Sequence, residues 1–139
     1  MQLIEVLAGR LYQSDAERSV GERLRERGLL PAMIIDLHGG GAWEAASGEL
    51  VYVRWPIDDA TVPHVPTLLG LAQTGAEFIE AGGVVVSMCQ MGRNRSGLLS
   101  ALIVMRCEGM SGAEAVRFVR ERCPEALGND AFVAFLVGR

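Results

Sequence analysis

Lysine is absent from the chain: all thirteen basic side chains are arginine. With the richness in Gly and Ala, this points to a GC-rich bacterial source and says nothing of mechanism. Aromatic residues make up only 6% of the chain, and the net charge is −4. Neutralising a phosphate backbone takes a basic surface, and holding single strands takes aromatic platforms. No nucleic-acid partner is therefore expected. Long hydrophobic runs are also missing. LLSALIVM (98–105) is far short of the roughly 20 apolar residues a membrane span needs. The opening MQLIEVLAGR is acidic early, and its apolar run is too short for a signal peptide. A cytoplasmic protein with no membrane partner is expected. Cysteine is sparse: Cys89, Cys107 and Cys123 are odd in number and lie far apart. Neither a disulfide framework nor a C-x-x-C metal knuckle fits that spacing. No repeat or low-complexity tract is present.

What is there fits one domain over residues 1–139, half of them apolar, with enough chain for a single packed core. Leu3 to Tyr12 reads as a short strand or a pair of edge strands. In SDAERSVGERLRERG, Ser14 or Asp15 can cap a helix whose inner face carries Val20 and Leu24 and which Gly28 ends. AMIIDL (32–37) is nearly unbroken apolar sequence, the mark of a strand buried on both faces. HGGGAWEAASGE (38–49) reads as a loop, LVYVRW (50–55) as another strand, and PIDDATVP (56–63) as a turn-rich connection. Helical spacing runs from His64 to Ala81 and stops at Gly82-Gly83, before a third buried strand, VVVSM (84–88). A mostly apolar helix is expected from Ser96 to Glu108. A capping box, SGAE (111–114), opens the next helix, which runs to about Arg122. Asn129 or Asp130 caps a last helix carrying Phe132, Phe135 and Leu136. Strands alternating with helices predict an α/β fold: a mainly parallel sheet of four to five strands with helices on both faces. Ligands in such sheets sit at the carboxyl ends of the strands.

SMCQMGRNRSG (87–97) falls at such an end, between a strand and a helix. First-turn amides of a helix lack intrahelical partners and carry the positive end of its dipole. Loop amides curling around one point make a nest for an anion. Gly92 allows a sharp turn and close approach, and the planar fork of Arg95 can hold two phosphate oxygens. Residues Gln90, Met91, Gly92, Arg93, Asn94 and Arg95 thus form a candidate phosphate cradle. At its floor is Cys89, where helix dipole and guanidiniums favour the nucleophilic thiolate. Ser96 can donate a hydrogen bond to that sulfur. A Cys followed six positions later by Arg is common by chance. With Gly92, Ser96, the preceding strand and the following helix, it is not. Cys107 reads as a core residue and Cys123 as a helix-end residue.

Cys89-Gln90-Met91-Gly92-Arg93-Asn94-Arg95-Ser96 is a C-x5-R-S signature. With WPIDD (55–59) about thirty residues ahead of it, the chain resembles the cysteine-based protein tyrosine phosphatase superfamily, most closely its compact dual-specificity branch. The order of elements is similar over nearly the whole chain, down to a final N-x-x-F (Asn129 to Phe132). The resemblance implies hydrolysis of phosphate monoesters, with no metal or other cofactor. Cys89 would attack phosphorus and form a phosphocysteine. Arg95 and the amides of residues 90 to 95 would hold the oxygens. Asp59 would act as general acid and then base, with Asp58 as competitor, and Ser96 would support the departing thiolate. Substrates implied are phosphorylated proteins or small phosphate esters, with phosphate or another oxyanion in the site. The chain departs from the family in one place: Met88 stands where His usually precedes the Cys. That keeps open a weak or inactive phosphate-binding relative.

Two further readings concern substrate. Asn94-Arg95-Ser96-Gly97 resembles the N-R-[ST]-G form of relatives acting on RNA 5′-phosphates, and Arg93 would suit a polyanion such as a phosphoinositide. HGGGAW (38–43) is similar to an esterase oxyanion segment, but the G-x-S-x-G elbow that reading needs is missing. His38 reads as structural or exposed, and His64 as lying near a helix start. Trp55 and residues 43–49 either shape the rim of the site or simply pack.

Overall fold

The computed structural model describes residues 3–16, 20–39 and 50–139. Most of the loop expected at 38–49, including WEAASGE, lies outside those residues, as do positions 17–19 ahead of the first helix. The elements run β1 (Leu3–Leu7), β2 (Leu11–Ser14), α1 (Val20–Glu26), β3 (Pro31–Asp36), β4 (Val51–Arg54), α2 (Val65–Glu80), β5 (Val84–Met88), α3 (Arg95–Glu108), α4 (Gly112–Arg122) and α5 (Asp130–Val137).

Five strands form one mixed sheet in the order β1-β2-β5-β3-β4. Only the β1–β2 pair is antiparallel; β2–β5, β5–β3 and β3–β4 are parallel. The central strand β5 is buried at all five positions, which is why it reads as unbroken apolar sequence. Alternation along it sends Val84, Val86 and Met88 to one face, where they pack with Tyr12, Ile34 and the α1 residues Val20 and Leu24. Val85 and Cys89 turn to the other face, into the larger core beneath α2, α3, α4 and α5. Helices therefore cover both faces of the sheet. No helix among the described residues is long and apolar enough to cross a membrane.

Three local expectations change. Ser14 does not cap a helix: it is the last residue of β2, paired with Met88 of β5. Nor is β2 an edge strand, since it lies between β1 and β5 with all four residues buried. Its Gln13 and Ser14 are polar and fully buried, so the sequence has the look of a strand end running into a loop. Cys107 is only partly buried against the core, whereas Cys123, at the end of α4 as expected, is 1% exposed.

The last helices are held by side-chain caps. Ser111 and Glu114 form the expected capping box. Asn129, not Asp130, caps α5, its side chain accepting from the amides of Ala131 and Phe132. Gly112 opens α4 against the end of α5, where a Cβ would stand 1.6 Å from the carbonyl oxygen of Leu136. Only glycine permits that approach.

Candidate active site

The site is built where β5 ends and α3 begins. Cys89 follows the strand directly, and Arg95 is the first residue of the helix. Between them the loop turns at Gly92, whose φ is +69°. Cys89 is 2% exposed. Its Sγ lies 3.2 Å from Ser96 Oγ in a hydrogen bond within the first turn of α3. Ser87 Oγ donates to the Ser96 carbonyl at 2.9 Å, tying the strand to that same turn. The sulfur thus sits at the positive end of a 14-residue helix. The other two thiols have no such setting. Burial pushes both Cys107 and Cys123 above the ordinary thiol value, which makes them poorer nucleophiles.

The segment 55–60 lies beside this loop, and three side chains fix it there. Arg95 Nη1 donates to the carbonyl of Ile57 at 2.8 Å. Asn94 Nδ2 donates to Asp59 Oδ2 at 2.9 Å, and Asn129 Nδ2 to Asp59 Oδ1 at 2.8 Å. Each asparagine is itself anchored. Asn94 Oδ1 accepts from the Gly128 amide at 2.7 Å, and Asn129 Oδ1 accepts the first amides of α5. Asp58 and Asp59 are both exposed, but Asp59 is gripped through both carboxylate oxygens. No local pattern signals this brace, because its partners lie 35 and 70 positions away from Asp59. The N-x-x-F segment was readable as a helix cap, but not as a hold on the acidic loop.

Of the remaining cradle residues, Gln90 and Met91 are exposed, Met91 at 55%. Arg93 is half-buried, and its Nη2 pairs with Glu125 Oε2 at 2.7 Å. Trp55 packs against the core, and its amide donates to the Asp36 carbonyl. Asp36, 2% exposed, accepts from the amides of His38 and Gly39 and from the Tyr52 hydroxyl. His64 is exposed at the start of α2, its Nδ1 2.9 Å from Thr67 Oγ1.

Solved structures carry the same arrangement of elements. Human DUSP28 superposes with a TM-score of 0.80 over 96% of this chain and 89% of its own, at 24% identity. The chain has the dual-specificity phosphatase fold. DUSP15 has that fold too, matching at a TM-score of 0.81 and 20% identity over 98% of this chain and 85% of its own. PTPMT1, solved in complex with PI(5)P, matches at 0.79 and 15% identity over 98% of this chain and 92% of its own. No protein-family model matches the sequence, and no curated protein matches it. At these identities the likeness is one of phosphatase architecture.

Proposed function

We propose that the chain is a phosphate monoester hydrolase of the dual-specificity type, working through a phosphocysteine. One observation carries this reading: a buried Cys89 Sγ, bonded to Ser96 Oγ at 3.2 Å, at the head of α3. The dual-specificity phosphatase fold supports it. In the first step the Cys89 thiolate forms a bond to phosphorus as the phosphorus–oxygen bond to the leaving group breaks. Asp59, protonated, gives its proton to the departing oxygen. Arg95 uses Nη1 on Ile57 and has further N–H groups for the equatorial oxygens, beside the loop amides. In the second step water attacks phosphorus, its proton passes to the Asp59 carboxylate, and the thiolate leaves, bonded by the Ser96 hydroxyl. Asp59 takes this role over Asp58 because the brace from Asn94 and Asn129 holds its carboxyl against the cradle. Phosphorylated proteins and small phosphate esters are the proposed substrates. Arg93, whose charge would suit a polyanion, is already paired with Glu125. Exposed Met91 offers the leaving group an apolar contact.

Hydrolysis of a chromogenic aryl phosphate tests this reading. Cys89→Ser is expected to abolish turnover, and Asp59→Asn to slow it by roughly 10²- to 10⁴-fold, the usual share of general acid–base catalysis. Asp58→Asn should leave the rate little changed, and a chelator should have no effect. A wild type that binds phosphopeptide without turning it over would instead identify a silent phosphate reader.

A further inference from the structure

We propose that Gln13 is a positioning residue for this site: its buried amide turns the N–H groups of the cradle toward the oxyanion. The proposal rests on reading residues 89–95 as that cradle, and adds to it a residue from a different strand.

Gln13 lies in β2, one strand over from Cys89, and is fully buried. Its Nε2 donates to the carbonyl of Gly92 at 2.9 Å and reaches that of Arg93 at 3.5 Å. In a trans peptide the carbonyl and the next N–H point in opposite directions, and no described peptide is cis. The Gly92 carbonyl shares its plane with the Arg93 amide, and the Arg93 carbonyl with the Asn94 amide. Drawing both carbonyls onto Gln13 therefore turns both N–H groups away from β2, to the cradle's inner side. Backbone bonds do the same at the loop's flanks. The Ala16 amide donates to the Gln90 carbonyl at 3.3 Å, and the Leu127 amide to that of Arg93 at 3.4 Å. The loop rests directly on the end of β2. A Cβ at Gly92 would stand 2.6 Å from the Asp15 nitrogen and 2.7 Å from the Ser14 carbonyl carbon.

Packing does not account for a glutamine here. Its Oε1 is buried and has no hydrogen-bond partner among the described residues, and an orphaned acceptor costs stability. An aliphatic side chain would fill the same space without an orphaned acceptor of its own, but would leave the Gly92 carbonyl without its donor. What the amide adds is a donor beneath the loop. Reversing it would set Oε1 against two carbonyl oxygens, so the donor's direction is fixed by its neighbours. The residue just before the cysteine supplies no such donor, because Met88 faces the apolar α1 side of the sheet.

The test uses the full chain as wild type, Gln13→Leu and Gln13→Met. Three quantities are read: inhibition of aryl phosphate hydrolysis by orthovanadate, the pH midpoint of Cys89 alkylation by iodoacetamide, and thermal melting. Both variants remove the orphaned Oε1 and in exchange leave the Gly92 carbonyl without this donor, so they are expected to melt close to wild type. Orthovanadate inhibition should weaken roughly tenfold, less than the outright loss of an oxyanion donor costs, and the alkylation midpoint should move up. If Gln13→Leu fails to fold, Gln13→Met, unbranched and of similar length, carries the comparison. Folded variants that match wild type in both inhibition and midpoint overturn the role of Gln13 alone. A wild type that neither turns over substrate nor binds orthovanadate overturns the cradle, and Gln13's role with it.

Discussion

Met88 and Cys89 are adjacent, yet their side chains serve opposite faces of the sheet. Met88 is fully buried among Tyr12, Val20, Leu24, Ile34, Val84 and Val86. That surrounding accounts for a residue the sequence left unexplained. An unbranched apolar side chain fills an irregular gap there, whereas an imidazole would lose its water with only apolar side chains around it. Met88→His is therefore expected to cost about 1–3 kcal/mol, the range found for a buried polar group left unpaired. It should lower the melting temperature without raising kcat/KM for an aryl phosphate. A faster, equally stable variant would show that the cradle can take its donor from position 88 after all.

At the scale of elements, the contact between α4 and α5 is the one most sensitive to a single methyl group. Gly112 stands with its Cα against the Leu136 carbonyl, and the obstacle is backbone that cannot swing aside. Gly112→Ala is expected to destabilise by about 1–3 kcal/mol or more, as overpacking does, read by urea denaturation. Because Asn129 both caps α5 and holds Asp59, turnover should fall along with stability. Most elements could be read from the chain because their signals are local. Val84 to Met88 is apolar at four of five positions and follows two glycines. Ser111 and Glu114 announce a helix start three residues apart, and Cys89 to Ser96 is contiguous. What could not be read depends on distant partners. β2 hides its strand character behind Gln13 and Ser14, whose burial makes sense only once residues 89–93 lie over them. The brace on Asp59 joins three separate segments, and no spacing rule connects them.

For the molecule as a whole, two tyrosine–carboxylate pairs set opposite ends of the pH range. Burial first, and then the Asp36 carboxylate that accepts its bond, pushes the Tyr52 hydroxyl well above its ordinary value of 10.0. A phenol raised in this way favours the fold while it stays protonated. Its contribution is complete below pH about 10 and is lost as pH climbs through the folded value. Glu5 behaves in the reverse sense. The Tyr12 hydroxyl foremost, then the Gly9 amide, holds its carboxyl below the ordinary 4.5. That contribution is present above pH about 4.5 and fades as the solution becomes more acidic. Melting temperature should therefore decline at both extremes. Tyr52→Phe should flatten the alkaline decline while lowering the unfolding free energy near neutral pH by about 1.5–3 kcal/mol, the worth of a hydrogen bond to a charged group. The paired amides on Asp59 carry a consequence for the age of a preparation. Asparagine slowly loses ammonia in water and becomes aspartate, exchanging a donor for a negative charge. At position 94 or 129 that change would set carboxylate against carboxylate and pry the acidic loop off its seat. Asn94→Asp and Asn129→Asp, made directly, should each lower turnover in freshly prepared protein, as measured on an aryl phosphate.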